Sequence, residues 1–175
     1  MDTYPIITVP APVLRETAQP VNRVDDAVRR QMDIMLETMY EAPGIGLAAN
    51  QVNMLNRVLV IDLSPRNGPD APKESLCMAN PEIIWTSEEP SVMEEGCLSI
   101  PDQFAEVQRP AQVRVKYLDY NGKEAEIDAD GLLSHCVQHE IDHLNGVLFF
   151  DYISKLKRDM MIRRVKKLTK GRDVM

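Results

Sequence analysis

Gln138-His139-Glu140-Ile141-Asp142-His143 lies inside the run Asp130–Gly146 and carries two of the chain's three histidines. The two are four residues apart, and a glutamate follows the first. On a helix, residues at i and i+4 share a face, so both imidazoles can reach one metal ion. Glu140 then stands beside that ion as a base for its water. A helix is predicted because Leu133, Cys136, Val137, Ile141 and Leu144 recur at helical spacing. Asp130 can cap its start, and Gly146 at the C′ position can end it. The plain alternative is a pair of ordinary surface or core histidines, because short patterns also arise by chance.

Two ligands are one too few. A catalytic zinc-type site has three protein ligands and an open position. His135 is the next i−4 step, but eight residues separate it from His143, about 12 Å along a helix axis. Ligand nitrogens on one metal lie only about 3–4 Å apart. That spacing excludes His135, and Cys136 for a similar reason, so the third ligand is expected from elsewhere in the chain. His135 itself reads as a solvent-facing or satisfied histidine.

The 175 residues are read as one domain, 1–175, long enough to bury a core. With 44% hydrophobic and 27% charged residues the composition is that of an ordinary globular protein. No signal-peptide pattern opens the chain, and no apolar run reaches membrane length. Three cysteines without framework spacing favour a reducing compartment, with thiol or metal chemistry rather than disulfides. The net charge of −7 is unevenly placed: residues 1–154 hold 11 basic and 25 acidic side chains, residues 155–172 nine basic and one acidic. The acidic body argues against general nucleic-acid binding, DNA included, and sets the basic tail apart.

In chain order, residues 1–23 are expected to be mostly extended, with a short apolar run Ile6-Ile7-Thr8-Val9. A helix follows from about Val24 to Glu41, with Asn22 or Asp25 as cap and Val28, Met32, Met35 and Met39 as a core stripe. Pro43-Gly44 ends it. Gly44–Val52 holds two glycines near two alanines, which points to close approach of this backbone to a ligand or another strand. It lacks the third glycine of a dinucleotide fingerprint and the Gly-Lys-Ser/Thr of a P-loop. Val58–Ile61 reads as a buried strand, Ser64–Ser75 as a surface loop, and Cys77–Met78 and Ile83–Trp85 as further strands. Cys97 follows a glycine in a turn-like setting between strands. It is the candidate third ligand, the alternative being an ordinary buried cysteine. Asn121-Gly122 between alternating runs is a hairpin signal joining Val113–Tyr120 to Lys123–Ala129. After the histidine helix, Val147–Phe150 is expected as a short strand. Ser154 then caps a last helix, Lys155–Lys170, with Leu156, Met160, Met161, Val165 and Leu168 turned to the body. This order argues for an α+β fold: antiparallel sheets packed around a central metal-binding helix, with an N-terminal and a C-terminal helix.

Gly44–Gln51 (GIGLAANQ), Glu95–Ser99 (EGCLS) and Gln138–His143 (QHEIDH) resemble, complete and in order, the three signature motifs of bacterial peptide deformylases. The helix after Asp151-Tyr152 resembles that of the branch found in Gram-negative bacteria and organelles. The resemblance implies a bacterial, cytoplasmic metallohydrolase of N-terminal methionine processing. It would remove the N-formyl group from the initiator methionine of nascent polypeptides and release formate. Two other readings stand beside it: another metal-dependent amidase or peptidase, and a non-catalytic metal-binding module.

Carried over residue by residue, the resemblance makes Cys97, His139 and His143 ligands of one divalent metal, Fe(II) natively, with zinc, nickel or cobalt as alternatives. Glu140 would be the general base and acid. The Gln51 side-chain amide and the Leu98 backbone N–H would face the developing oxyanion. Backbone around Ile45, Gly46 and Gly96 would pair with the substrate peptide as an added strand. Ile45, Leu132 and Cys136 would line the methionine pocket, and Glu95 would stand behind the ligands or in the pocket wall. Phe104 departs from the family pattern, standing where some relatives have an arginine. The basic last helix would dock on the ribosome surface near the exit tunnel, through Arg163, Lys166, Lys167 and Lys170, the alternative being an ordinary solvated helix face.

Overall fold

Asp25 decides where the first helix begins: its side chain accepts a hydrogen bond from the Val28 amide at 2.9 Å, a satisfied N-cap. In the computed structural model, which describes residues 2–173 and side chains through Lys170, this helix, α1, runs Asp26–Glu41. Val28, Met32, Met35 and Met39 are buried on one stripe, as their spacing requires. They join a cluster with Leu47, Val58, Val60 and Ala79.

Five strands form one antiparallel sheet, in the spatial order β1 (Gly46–Ala48), β2 (Val58–Ile61), β3 (Leu76–Thr86), β6 (Val113–Leu118), β7 (Glu124–Ala129). The two between them in sequence, β4 (Pro90–Cys97) and β5 (Ile100–Pro110), pair only with each other. β2 is buried at every residue. Its side chains alternate, as a strand's must. Val58 and Val60 join the α1 cluster. Leu59 and Ile61 join Cys136, Val137, Ile141 and Leu144 of the second helix, α2 (Gly131–Leu144). The sheet is thus covered by α1 on one face and α2 on the other, and α2 is central. A third cluster, around Leu14, Ile100, Phe149 and Phe150, receives Met161 and Val165 from the last helix, α3 (Lys155–Asp173).

The predicted hairpin is present. Gly122 has φ +79, and the Asp119 carboxylate accepts from the Asn121 and Lys123 amides at 2.9 and 3.0 Å. Ser154 caps α3, accepting from the Lys157 amide at 3.2 Å. Gly146 has φ +75 just past α2.

Several expectations give way. Cys77–Met78 and Ile83–Trp85 belong to one strand, because the register shift against β6 between Ala79 and Glu82 absorbs Pro81, which has no amide to donate. Val147–Phe150 is not a strand. A 3-10 turn, Phe149–Tyr152, stands there. Phe149 and Phe150 are both 1% exposed and join one core cluster, whereas a strand would point neighbouring side chains to opposite faces. Residues 2–23, expected to be mostly extended, form neither an α-helix nor a sheet strand. That segment contains a 3-10 turn, Pro12–Arg15, and is tied to the body by the isolated bridge Gln19–Asn56 and by single backbone bonds from the Ile7, Val9 and Ala18 amides. Asp130 makes no side-chain cap hydrogen bond. On α3, Leu156, Met160 and Leu168 do not turn inward: they are 70%, 37% and 37% exposed. The body touches α3 along a narrow line through Met161 and Val165, and the other three lie on its flanks. Among the described residues, no helix is long and apolar enough to cross a membrane.

Candidate active site

A register slip delivers the cysteine. β4 and β5 pair evenly up to Gly96↔Phe104, then jump to Cys97↔Ile100, with Leu98 and Ser99 in the turn. Such an irregularity re-aims a side chain. The Cys97 Sγ lies 3.3 Å from His143 Nε2, which lies 3.2 Å from His139 Nε2. All three donor atoms fall within 4.8 Å of one another. Donors around one ion are separated by about 3–4 Å, so the set fits a single metal. His139 and His143 meet edge to face, with ring centroids 4.9 Å apart.

The side chains of this cluster are held from behind. Glu95, 8% exposed, faces His139 Nδ1 from Oε1 at 2.9 Å. The carboxylate can only accept, so Nδ1 carries the hydrogen and Nε2 turns its lone pair toward Cys97 and His143. Arg109, 4% exposed, grips Glu95 through two bonds of 2.7 and 2.9 Å and reaches Asp142 at 2.9 Å. Its guanidinium lies 4.9 Å from the Tyr152 ring centroid, and the Tyr152 hydroxyl donates to Asp142 at 2.6 Å. Burial alone would push the Glu95 carboxyl up; the bonds from His139 and Arg109 outweigh it and hold it at about 2. Burial opposes charge on His139 too, but Cys97, Glu140 and Glu95 around it together favour a cation there. That preference suits a metal site.

Glu140 follows His139 and is 4% exposed. Burial pushes its carboxyl up, to about 7, against the opposing charge of His139. Its Oε1 has no hydrogen-bond partner among the described residues, nor has His143 Nδ1. A buried, unpaired carboxylate oxygen beside three donors is free to take a proton from a reacting group. Gly46 explains itself here: a Cβ would sit 2.5 Å from Glu140 Oε2 and 3.0 Å from Cys136 Sγ. A glycine here lets β1 come close to the buried Glu140 carboxylate.

The other predicted residues distribute as follows. Gln51 is 1% exposed; its amide donates to Ser99 Oγ at 3.0 Å and reaches Cys97 Sγ at 3.5 Å, while its Oε1 accepts from the Ala48 amide at 2.9 Å. The segment Ile7–Val9 ties this region together, its amides bonding to Gln51 O at 2.7 Å and Ser99 O at 2.9 Å. Leu98 is half-buried against the α1 cluster, and Ile45 against the α2 cluster. Cys136 is buried with its Sγ 3.9 Å from Ile45 O, and Leu132 is half-buried in the first turn of α2. Gly96 backs onto Phe104, whose ring would meet a Cβ at 2.6 Å; that phenyl is 60% exposed. Arg109, Asp142 and Ser99 escaped the sequence reading. The latter two sit inside the motifs, but Arg109 gives no local signal, its partners being 14 and 33 residues away.

A family model described as polypeptide deformylase matches residues 3–159. The chain belongs to the polypeptide deformylase family. It is 56% identical over 172 residues to a peptide deformylase of Rhizobium meliloti, covering 98% of this chain and 97% of that one. It is also similar to two deformylase crystal structures. The one from Ehrlichia chaffeensis superposes with a TM-score of 0.90 at 42% identity, covering 96% of this chain and 97% of that one. The one from Acinetobacter baumannii, with Met-Ala-Ser bound, superposes with a TM-score of 0.79 at 38% identity, covering 86% and 98%. Family membership gives the Cys-His-His cluster its meaning: deformylases are metal-dependent hydrolases, and this member carries such a cluster between α2 and β4.

Proposed function

We propose that this chain hydrolyses the N-formyl amide of N-formylmethionyl peptides, giving formate and a free amino terminus. The observation that carries the reading is the cluster Cys97, His139 and His143 with the unpaired Glu140 carboxylate beside it, in a member of the deformylase family. Those three residues would hold the metal. When bound, it supplies Lewis acidity, polarising the formyl carbonyl and making water a nucleophile near neutral pH. Glu140 takes a proton from the attacking water and passes it to the leaving amine. A carboxyl near 7 does both, because it holds and releases protons at working pH. The Gln51 amide and the Leu98 N–H donate to the oxygen on which charge develops. Gln51 is pre-aimed for this: Ala48 and Ser99 fix its ends, and its long 3.5 Å approach to Cys97 points the amide at the cluster.

The peptide lies along the backbone of Ile45, Gly46 and Gly96 as an added strand, and its methionine enters between Ile45, Leu132 and Cys136. The Met-Ala-Ser bound in the Acinetobacter relative supports a site that accepts a methionine-first peptide. We assign Fe(II) as the native metal, with zinc, nickel or cobalt able to replace it; cysteine and histidine donors suit iron and zinc alike. The deciding experiment is an anaerobic assay of formate release from formyl-Met-Ala-Ser with metal analysis. The reading expects formate and roughly one metal per chain, mostly iron. Metal without turnover would leave a binding module, and cleavage of internal or acetylated peptide bonds a general peptidase.

Nascent chains are the cellular source of this substrate, so the protein would work in the bacterial cytoplasm, at the ribosome. Arg163, Lys166, Lys167 and Lys170 are exposed on α3 and would dock on its phosphate-rich surface. Changing all four to Gln should leave formyl-Met-Ala-Ser turnover unaltered, while ribosome binding weakens and becomes less steeply dependent on salt. Equal ribosome affinity at low salt would sink the docking proposal.

A further inference from the structure

His135 takes no part in the chemistry above, yet it is 1% exposed and both ring nitrogens are engaged. It lies one helical turn before His139 on α2, so the two rings project from the same side of the helix. His135 Nδ1 is 2.9 Å from Glu95 Oε2, and His135 Nε2 is 3.1 Å from the Ser91 hydroxyl on β4. The other oxygen of the same carboxylate, Oε1, takes the hydrogen of His139 Nδ1 at 2.9 Å.

Glu95 is an acceptor only, gripped by the Arg109 guanidinium. Its two oxygens offer about four lone-pair sites. Arg109 fills one on each oxygen, His139 a second on Oε1 and His135 the second on Oε2. Every site is used, and the two imidazoles brace the carboxylate from opposite ends. Arginine alone sets the plane of the group. The two imidazoles add one bond at each end, so removing one unbalances the carboxylate toward the other oxygen and lets it turn the His139 ring. Ser91 anchors the far nitrogen of His135, so the brace ends on the hairpin that carries Cys97.

We propose that His135 is a positioning residue for the metal centre, fixing the orientation of the His139 ring through Glu95 and tying it to β4 through Ser91. This rests on His139 holding the metal.

The test measures Zn(II) affinity of the metal-stripped full chain by chelator competition, together with the visible absorption of the Co(II) form. His135→Leu keeps bulk and removes both polar atoms. It should weaken Zn(II) binding about tenfold, the low end of what losing such outer partners costs, and shift the Co(II) bands. His135→Asn retains a donor at the place of Nδ1 and should recover most of the affinity and the wild-type spectrum. Ser91→Ala leaves the Glu95 bond intact and should weaken binding only slightly. Metal-free thermal midpoints separate these effects from folding. If His135→Leu fails to fold, Asn must bind metal nearly as wild type does and Ser91→Ala slightly less well. An affinity for His135→Leu within twofold of wild type overturns the proposal, as does an Asn variant no better than Leu. A wild type that binds no Zn(II) would instead overturn the metal-site reading itself.

Discussion

Helices α2 and α3 invert the usual rule in opposite directions. α2 buries ten of its fourteen residues, and six of those are polar: Ser134, His135, Gln138, His139, Glu140 and His143. α3 leaves Leu156, Met160 and Leu168 exposed and carries most of its positive charge outward. Buried polar groups are costly unless paired. In α2 nearly every one is paired by a residue from another element: Pro110 O accepts from Gln138, and Glu95 serves His135 and His139. The exceptions, Glu140 Oε1 and His143 Nδ1, belong to a cluster histidine and to the glutamate that follows the other, though His143 meets the cluster through Nε2. Exposed apolar groups on α3 cost little by comparison, and its contact line runs through Met161 and Val165 with Ile162 beside them. A helix whose polar side is inside has been built around a site; one that turns only a line of its apolar residues inward has been attached to a body.

The sharpest way to break that contrast is Cys97→Ala. If the polar interior of α2 exists for a metal, this variant should lose tightly held metal and all measurable formate release. Cys77→Ala and Cys136→Ala should keep the metal. Full metal content in Cys97→Ala after desalting would remove Cys97 from the site.

Glu140→Ala comes next. It should keep the metal and lose about 10²–10⁴ in turnover, the range of a general acid–base group. Activity within a few-fold of wild type would reduce Glu140 to a buried residue without a catalytic task.

Glu95 sharpens the comparison through stability. Its folded carboxyl is depressed to about 2 from an ordinary 4.5. The stability this contributes is therefore fully present above pH 4.5 and lost as pH falls through about 2. The scale is on the order of 3 kcal/mol. Urea unfolding of the metal-free chain at pH 5 and pH 3 should show part of this loss, and Glu95→Gln should lose less over the same interval. Parallel losses in both chains would assign the acid sensitivity elsewhere.

The smallest effects belong to α3. Met161→Ala, which empties a buried position, should destabilise by about 2 kcal/mol. Leu156→Ala should stay within about 0.5 kcal/mol, as exposed positions do. Similar urea midpoints for the two variants would mean that α3 packs on a face other than the Met161–Val165 line.

Much of α1 and the β6–β7 hairpin was legible because both are governed by neighbours in sequence. A spacing of four, three and four makes a stripe, and Asn-Gly makes a turn. The same periodic reading misplaced Leu156, Met160 and Leu168, because α3 has apolar residues on more than one flank and no local feature says which flank meets the body. It also turned Phe149-Phe150 into a strand, since a short apolar run carries no period with which to choose a 3-10 turn.

Sequence alone was enough to place two imidazoles and a carboxylate on one helical turn, to exclude His135 as their companion ligand, and to show three motifs of one hydrolase family. These depend on helix geometry and on residue identity, both local. Tertiary structure alone decided how Cys97 reaches histidines more than forty residues on, through a slipped register at Gly96. It alone decided that Arg109 and Glu95 form the brace behind His139, and that His135 is buried in it rather than facing solvent. A charged residue shows in sequence only that it needs a partner or water. Which partner it finds depends on strands that pair far along the chain, and on how much solvent the finished fold leaves around it.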